Sequence, residues 1–67
     1  MRYLRCYTLR LTDPYDEEQV WAFVQRHQGF IAPHRWYIDL WIEDCYESLF
    51  VLSYPRLQRR SDRDYII

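Results

Sequence analysis

The sequence predicts a small α+β domain in the order β-α-β-β: a three-stranded antiparallel sheet, one helix packed on one face, and a C-terminal tail. Three observations carry this expectation. Residues 35–43 alternate strictly between apolar and polar positions, residues 14–28 carry the caps and stripe of an amphipathic helix, and the chain has only 67 residues. A chain this short forms one domain and buries only about 60% of its unfolded surface. The expected division is a folded core over 1–54 and an Arg-rich tail over 55–67.

Residues 2–11 read as the first strand. Tyr3, Tyr7, Leu9 and Leu11 share one face with Arg5, and Leu4, Cys6 and Thr8 share the other with Arg2 and Arg10. Neither face is cleanly polar, which suits a strand covered on both sides. Thr12-Asp13-Pro14 then ends the strand and opens a helix over 14–28. Asp13 suits the N-cap and Pro14 the first helical position, where no N–H is needed. Asp16, Glu17 and Glu18 match the positive end of the helix dipole. Val20, Phe23, Val24 and His27 form the apolar stripe, with Trp21 beside it. Gly29 suits a left-handed C-cap.

Phe30-Ile31-Ala32-Pro33 reads as a short return loop. The alternating stretch that follows is the clearest signal in the chain. Trp36, Ile38, Leu40 and Ile42 point one way, and Arg35, Tyr37, Asp39, Trp41 and Glu43 the other, as in a half-buried strand. Asp44-Cys45-Tyr46-Glu47 reads as a turn without glycine, and residues 48–54 as a third strand, apolar on both faces and ended by Pro55. The tail reads as a solvated middle with a β-prone end, Tyr65-Ile66-Ile67, able to dock as a short edge strand.

One helix covers only one face of such a sheet. The stripe is expected on Trp36, Ile38, Leu40 and Ile42, which leaves Tyr37 and Trp41 on an open face. An apolar patch of that kind marks a binding surface. The competing expectation is that Tyr65-Ile66-Ile67 folds back and buries both rings.

Composition narrows the function classes. All nine basic residues are Arg, and the net charge is −1. Residues 1–54 hold five Arg against eight acids, and residues 55–67 hold four Arg against two Asp. No apolar run is long enough to span a membrane, and the two cysteines, Cys6 and Cys45, suggest no disulfide framework. The expected location is the cytoplasm, with free thiols. No metal is expected, because Cys6, His27, His34 and Cys45 lack paired ligand spacing. No cofactor is expected, because a single glycine builds no phosphate-cradling loop. Asp39 and Glu43 on one strand face stand about 13 Å apart, too far to act on one bond. The chain therefore reads as a binding protein rather than an enzyme.

A protein partner is the leading expectation, since Trp, Tyr and Arg dominate interface hot spots. The contact residues would be Arg35, Tyr37, Asp39, Trp41, Glu43, Asp44 and Glu47, and the partner either a second copy or a larger complex. The acidic turn at Glu43, Asp44 and Glu47 would compete for a basic, nucleic-acid-handling surface. In size and style, though in no motif, the chain is similar to small phage- or virus-encoded blockers of host complexes, anti-CRISPR proteins among them. The alternative is single-stranded nucleic acid stacked on Tyr37 and Trp41, with Arg35, Arg56, Arg59, Arg60 and Arg63 on phosphates. Asp39 and Glu43 on the same face oppose it.

Overall fold

The computed structural model describes all residues, Met1–Ile67. The elements are β1 (Tyr3–Arg10), α1 (Glu17–Arg26), β2 (Phe30–Pro33), β3 (Tyr37–Glu43), α2 (Asp44–Ser53), β4 (Gln58–Arg59) and β5 (Tyr65–Ile66). A 3-10 turn spans Ser61–Arg63. The sheet has five strands in the order β2-β3-β1-β4, with β5 also on β1, and every pairing is antiparallel. The α+β class is as expected, but there are two helices rather than one and five strands rather than three.

The largest correction concerns residues 44–53. The expected turn and third strand are the helix α2. Asp44 and Glu47 sit in its first turn, where the dipole favours acids. Phe50 turns inward and Tyr54, four residues on, packs against the core, whereas Tyr46, four residues earlier, lies 38% exposed at the edge of that side. Phe50 is fully buried, 5.2 Å from the Tyr7 ring, 5.4 Å from Phe23 and 5.5 Å from Tyr54. Tyr46 meets the His27 ring at 4.7 Å. As a strand, the same run would need cover on both faces, and nothing in so small a chain supplies it. As a helix it needs one buried face only.

Both helices lie on the same side of the sheet. Their core residues are Val20, Phe23 and Val24 from α1 and Phe50 from α2, packed on Tyr7, Leu9, Ile38, Leu40 and Ile42, with Leu57 closing one end. Register places Tyr7 opposite Leu40 and Leu9 opposite Ile38. The inward set expected for β3 is therefore right except for Trp36. That residue and Arg35 form the tip of the β2–β3 hairpin, closed by a His34 N–H to Tyr37 carbonyl bond of 2.8 Å, and Trp36 is 64% exposed. The expected return loop is β2, an edge strand that carries Pro33 at its last position, where no ladder bond is lost.

The ends of α1 also differ. Asp16, not Asp13, caps the helix and accepts the Glu18 N–H at 3.0 Å. Asp13 instead accepts the Arg10 N–H at 2.7 Å, closing the turn after β1. The left-handed residue after α1 is Gln28, with φ of 59°, and Gly29 has no positive φ. Gly29 serves close approach instead. A side chain there would run into the Trp41 carbonyl oxygen and come within 2.7 Å of Val24 Cγ1. That contact lets α1 lie directly on the sheet.

Candidate interaction surfaces

The second face of the sheet carries Leu4, Cys6 and Thr8 from β1 and Tyr37, Asp39 and Trp41 from β3. It is not open along its length, because the tail folds back over half of it. The covering group is Arg63 in the 3-10 turn. Its guanidinium bonds the Asp39 carboxylate at 2.6 Å, and its carbonyl accepts the Trp41 indole N–H at 2.9 Å. Thr8 Oγ1 donates to Asp39 at 2.8 Å, and His34 Nε2 lies 3.3 Å away. Asp39 is thus 1% exposed, not a surface acid. Tyr37, stacked on His34 at 4.6 Å, and Trp41 are half-buried.

The expectation of an open face is corrected, and the competing expectation of tail closure named other residues than Arg63. Tyr65, Ile66 and Ile67 remain more than half exposed. They hold β5 on β1 through paired Arg2–Ile67 backbone bonds of 3.0 and 2.9 Å. Between this edge and β2 runs a shallow apolar groove of about 280 Å³, lined by Leu4, Phe30, Trp41, Arg63, Tyr65 and Ile67.

A second clamp fixes the tail. Asp64 takes both guanidinium nitrogens of Arg59 at 2.6 Å and the Cys6 N–H at 3.0 Å. Arg59 also reaches the Cys6 carbonyl at 3.2 Å, and the Arg60 N–H reaches it at 2.8 Å. Arg59 and Arg63 are therefore spent on carboxylates and are not free for phosphates. Burial raises the enclosed Cys6 thiol to about 11. The exposed Cys45 thiol is also raised, by desolvation and by its contact with Glu43 at 3.6 Å. Neither cysteine is an activated nucleophile.

The bonds from Arg59 and from the Cys6 backbone hold the Asp64 carboxyl below its usual range. A carboxyl depressed by folding stabilises the native state above its unfolded pKa, near 4, and loses that contribution as pH falls through its native value. Acid melts should therefore show a stability limb below about pH 4, and Asp64→Asn should flatten it. An unchanged limb would assign acid sensitivity to other carboxylates.

The acids expected to face a partner are mostly engaged. Glu43 pairs with Arg2 at 2.6 Å. Glu47 accepts the Tyr7 hydroxyl at 2.6 Å and meets Arg5 at 2.9 Å and Arg59 at 3.7 Å. The Tyr7 hydroxyl is pushed up to about 12 by burial and by that bond. Asp44 is exposed and has no cation beside it, and Arg35 and Arg56 are exposed without an acid partner.

Two surfaces absent from the sequence reading emerge. One is the outer side of α2, where Cys45, Ser48, Leu49 and Leu52 form one exposed stripe; Leu49 is 49% and Leu52 80% exposed. The spacing i, i+3, i+4, i+7 is present in the sequence, but it straddles the expected turn, which holds Cys45, and the expected strand, which holds Ser48, Leu49 and Leu52. The other is the uncovered half of the second sheet face. It is a concavity of about 390 Å³ between Trp36 and Arg60, floored by Thr8, Arg10, Tyr37 and Gln58.

No protein-family model matches the chain, and it is matched by no curated protein and no solved structure.

Proposed function

We propose that this chain is a non-enzymatic protein-binding module whose contact surface is the outer side of α2, and that this side pairs with a second copy. The observation that carries the proposal is the self-complementary stripe. Cys45 and Leu52, and Ser48 and Leu49, lie symmetrically about the midpoint of α2. Two such helices crossing antiparallel on a two-fold axis set each Cys45 against the partner's Leu52 and pack the small Ser48 beside the partner's Leu49. Isologous contact of this kind is the commonest symmetry of small oligomers.

Charge and dipole agree with that arrangement. Asp44 opens α2, and Arg56 follows its end; both lack a partner within the chain. Antiparallel pairing brings each Asp44 towards the other copy's Arg56 and sets opposite helix poles side by side. A stable dimer buries about 800 Å² per partner, more than one four-residue stripe supplies. Val51, Arg56 and Tyr46 must therefore join the contact, and the association is weak and concentration-dependent. The sheet scaffold behind it, clamped by ion pairs, presents the stripe in a fixed pose.

Light scattering over a concentration series tests this. The wild-type mass should rise from 8.5 kDa towards twice that value. Leu49→Asp, which places a charge from each copy at the axis, should stay monomeric with an unchanged far-ultraviolet circular dichroism spectrum. Two Cys45 residues would stand about 10 Å apart along the axis, too far for a disulfide. Oxidation should therefore cross-link Leu49→Cys chains far better than wild type. A wild-type chain monomeric at every concentration ends the self-pairing reading and leaves the stripe to a foreign partner, such as the nucleic-acid-handling complex of the inhibitor reading.

A further inference from the structure

We infer that the uncovered half of the second sheet face, between Trp36 and Arg60, is a binding site for a nucleotide unit, a planar base carrying a phosphate. The site lies on the layer opposite α2, so it is independent of the pairing proposed above.

Its shape comes from the topology. Thr8 lies opposite Asp39 on one side and Gln58 on the other, and Arg10 lies opposite Tyr37. These side chains share one face of the sheet. Arg63 of the 3-10 turn covers that face over Trp41 and Asp39 and reaches Tyr37, and the floor beyond is left as a concavity of about 390 Å³. Ligand pockets run from about 300 to 1,000 Å³. The hairpin tip raises Trp36 as one wall, and Arg60, anchored through its backbone to Cys6, forms the other.

The chemistry of the lining selects the ligand. Trp36 is 64% exposed, an unusual cost for a large ring unless a planar partner covers it. The Arg35 guanidinium lies 5.0 Å from its centroid and takes one face of the indole, so a base would stack on the other face. Gln58 offers a donor and an acceptor to a base edge. Arg10 and Arg60 line the same concavity and supply charge for the phosphate.

Each of those two arginines is held loosely. Arg10 meets Asp13 at 3.5 Å, and Asp13 is already engaged by the Arg10 backbone N–H. Arg60 meets Asp62 at 3.7 Å, and that aspartate side chain is 71% exposed. A phosphate accepting charge-assisted bonds of about 2.8 Å outcompetes contacts of this length. Arg59 and Arg63, by contrast, are locked at 2.6 Å to Asp64 and Asp39. The chain thus divides its arginines into clamps and free hands, and two of the free hands border one concavity with an exposed ring.

The test is titration of the wild-type chain with AMP, adenosine and inorganic phosphate, followed by the indole N–H resonances of the three tryptophans. AMP should move the Trp36 resonance and leave that of Trp41, bonded to the Arg63 carbonyl, in place. Adenosine and phosphate alone should each bind at least about tenfold more weakly than AMP, because each forfeits one of the two contacts. Arg10→Ala and Arg60→Ala should each weaken AMP binding about tenfold, with the Trp41 resonance unmoved as proof of an intact fold. A short adenine-only single strand separates the two sources of such a unit. Tighter binding than AMP, falling steeply with salt, assigns the site to single strands; equal or weaker binding assigns it to free nucleotides. A Trp36 resonance that neither AMP nor the strand moves overturns the inference, as do arginine variants that bind AMP like wild type.

Discussion

Phe50→Ala should cost about 4 kcal/mol, the range for emptying a fully buried phenylalanine site. Phe50 has no exposed surface and sits among the rings of Tyr7, Phe23 and Tyr54 at 5.2 to 5.5 Å. Two of these rings are fixed by other elements, Tyr7 by β1 and Phe23 by α1, which limits collapse into the space. For a chain of this length, total stability is about 3–10 kcal/mol, so the variant should be largely unfolded or melt well below the wild type. Phe50→Leu should lose much less. Leu52→Ala, read at the lowest usable concentration, should stay within about 0.5 kcal/mol of wild type. The contrast decides between helix and strand. On a strand, residues 50 and 52 share a face and should cost alike. On α2 they lie on opposite sides, one at 0% and the other at 80% exposure. Equal losses in a thermal melt would overturn the helix.

That contrast also marks where the sequence could be read and where it could not. β1, α1 and β3 were legible because period-two and period-3.6 patterns ran for seven or more residues between clear stops. Residues 48–54 were not, because Leu49-Phe50-Val51-Leu52 fits either period. The missing glycine between Glu43 and Ser48 fits a longer loop as well as a helix start, and Asp44 with Glu47 fits an acidic turn as well as a first helical turn. Long-range competition was hidden more deeply. Asp39 alternates with apolar neighbours like any exposed strand residue, and only the return of Arg63 from 24 positions away makes it a core group. The tail's charge excess was legible, but its use was not. Two of its four arginines balance buried or half-buried carboxylates, so the excess is structural in part. Trp36 was misplaced for a local reason, since the alternation runs through the hairpin tip without a break.

Asp39→Ala should be the second large loss, about 2 kcal/mol, because it leaves a buried hydroxyl unpaired and removes the carboxylate that anchors Arg63. Three groups converge on this carboxylate: Thr8 Oγ1 at 2.8 Å, Arg63 at 2.6 Å and His34 at 3.3 Å. Truncation strands the Thr8 hydroxyl, which is 2% exposed, and releases Arg63, whose side chain is 37% exposed. The melting temperature should fall by roughly 8–16 °C, at about 4–8 °C per kcal/mol for a domain of this size. The loss has a local component that a melt alone would miss. Arg63 also holds the Trp41 indole through its carbonyl, so losing the Asp39 anchor should loosen the 3-10 turn before the sheet opens. Trp41 indole hydrogen exchange should then accelerate more than the amides of β1 and β3. Arg63→Ala should loosen the turn in the same way, and the double variant should cost clearly less than the two single losses combined, since both remove one interaction. Additive losses would mean that Asp39 is stabilised by Thr8 and the sheet alone. In that case the Asp64–Arg59 clamp, with three bonds from Arg59, Arg60 and Asp64 onto the Cys6 backbone, is what keeps the tail on the face.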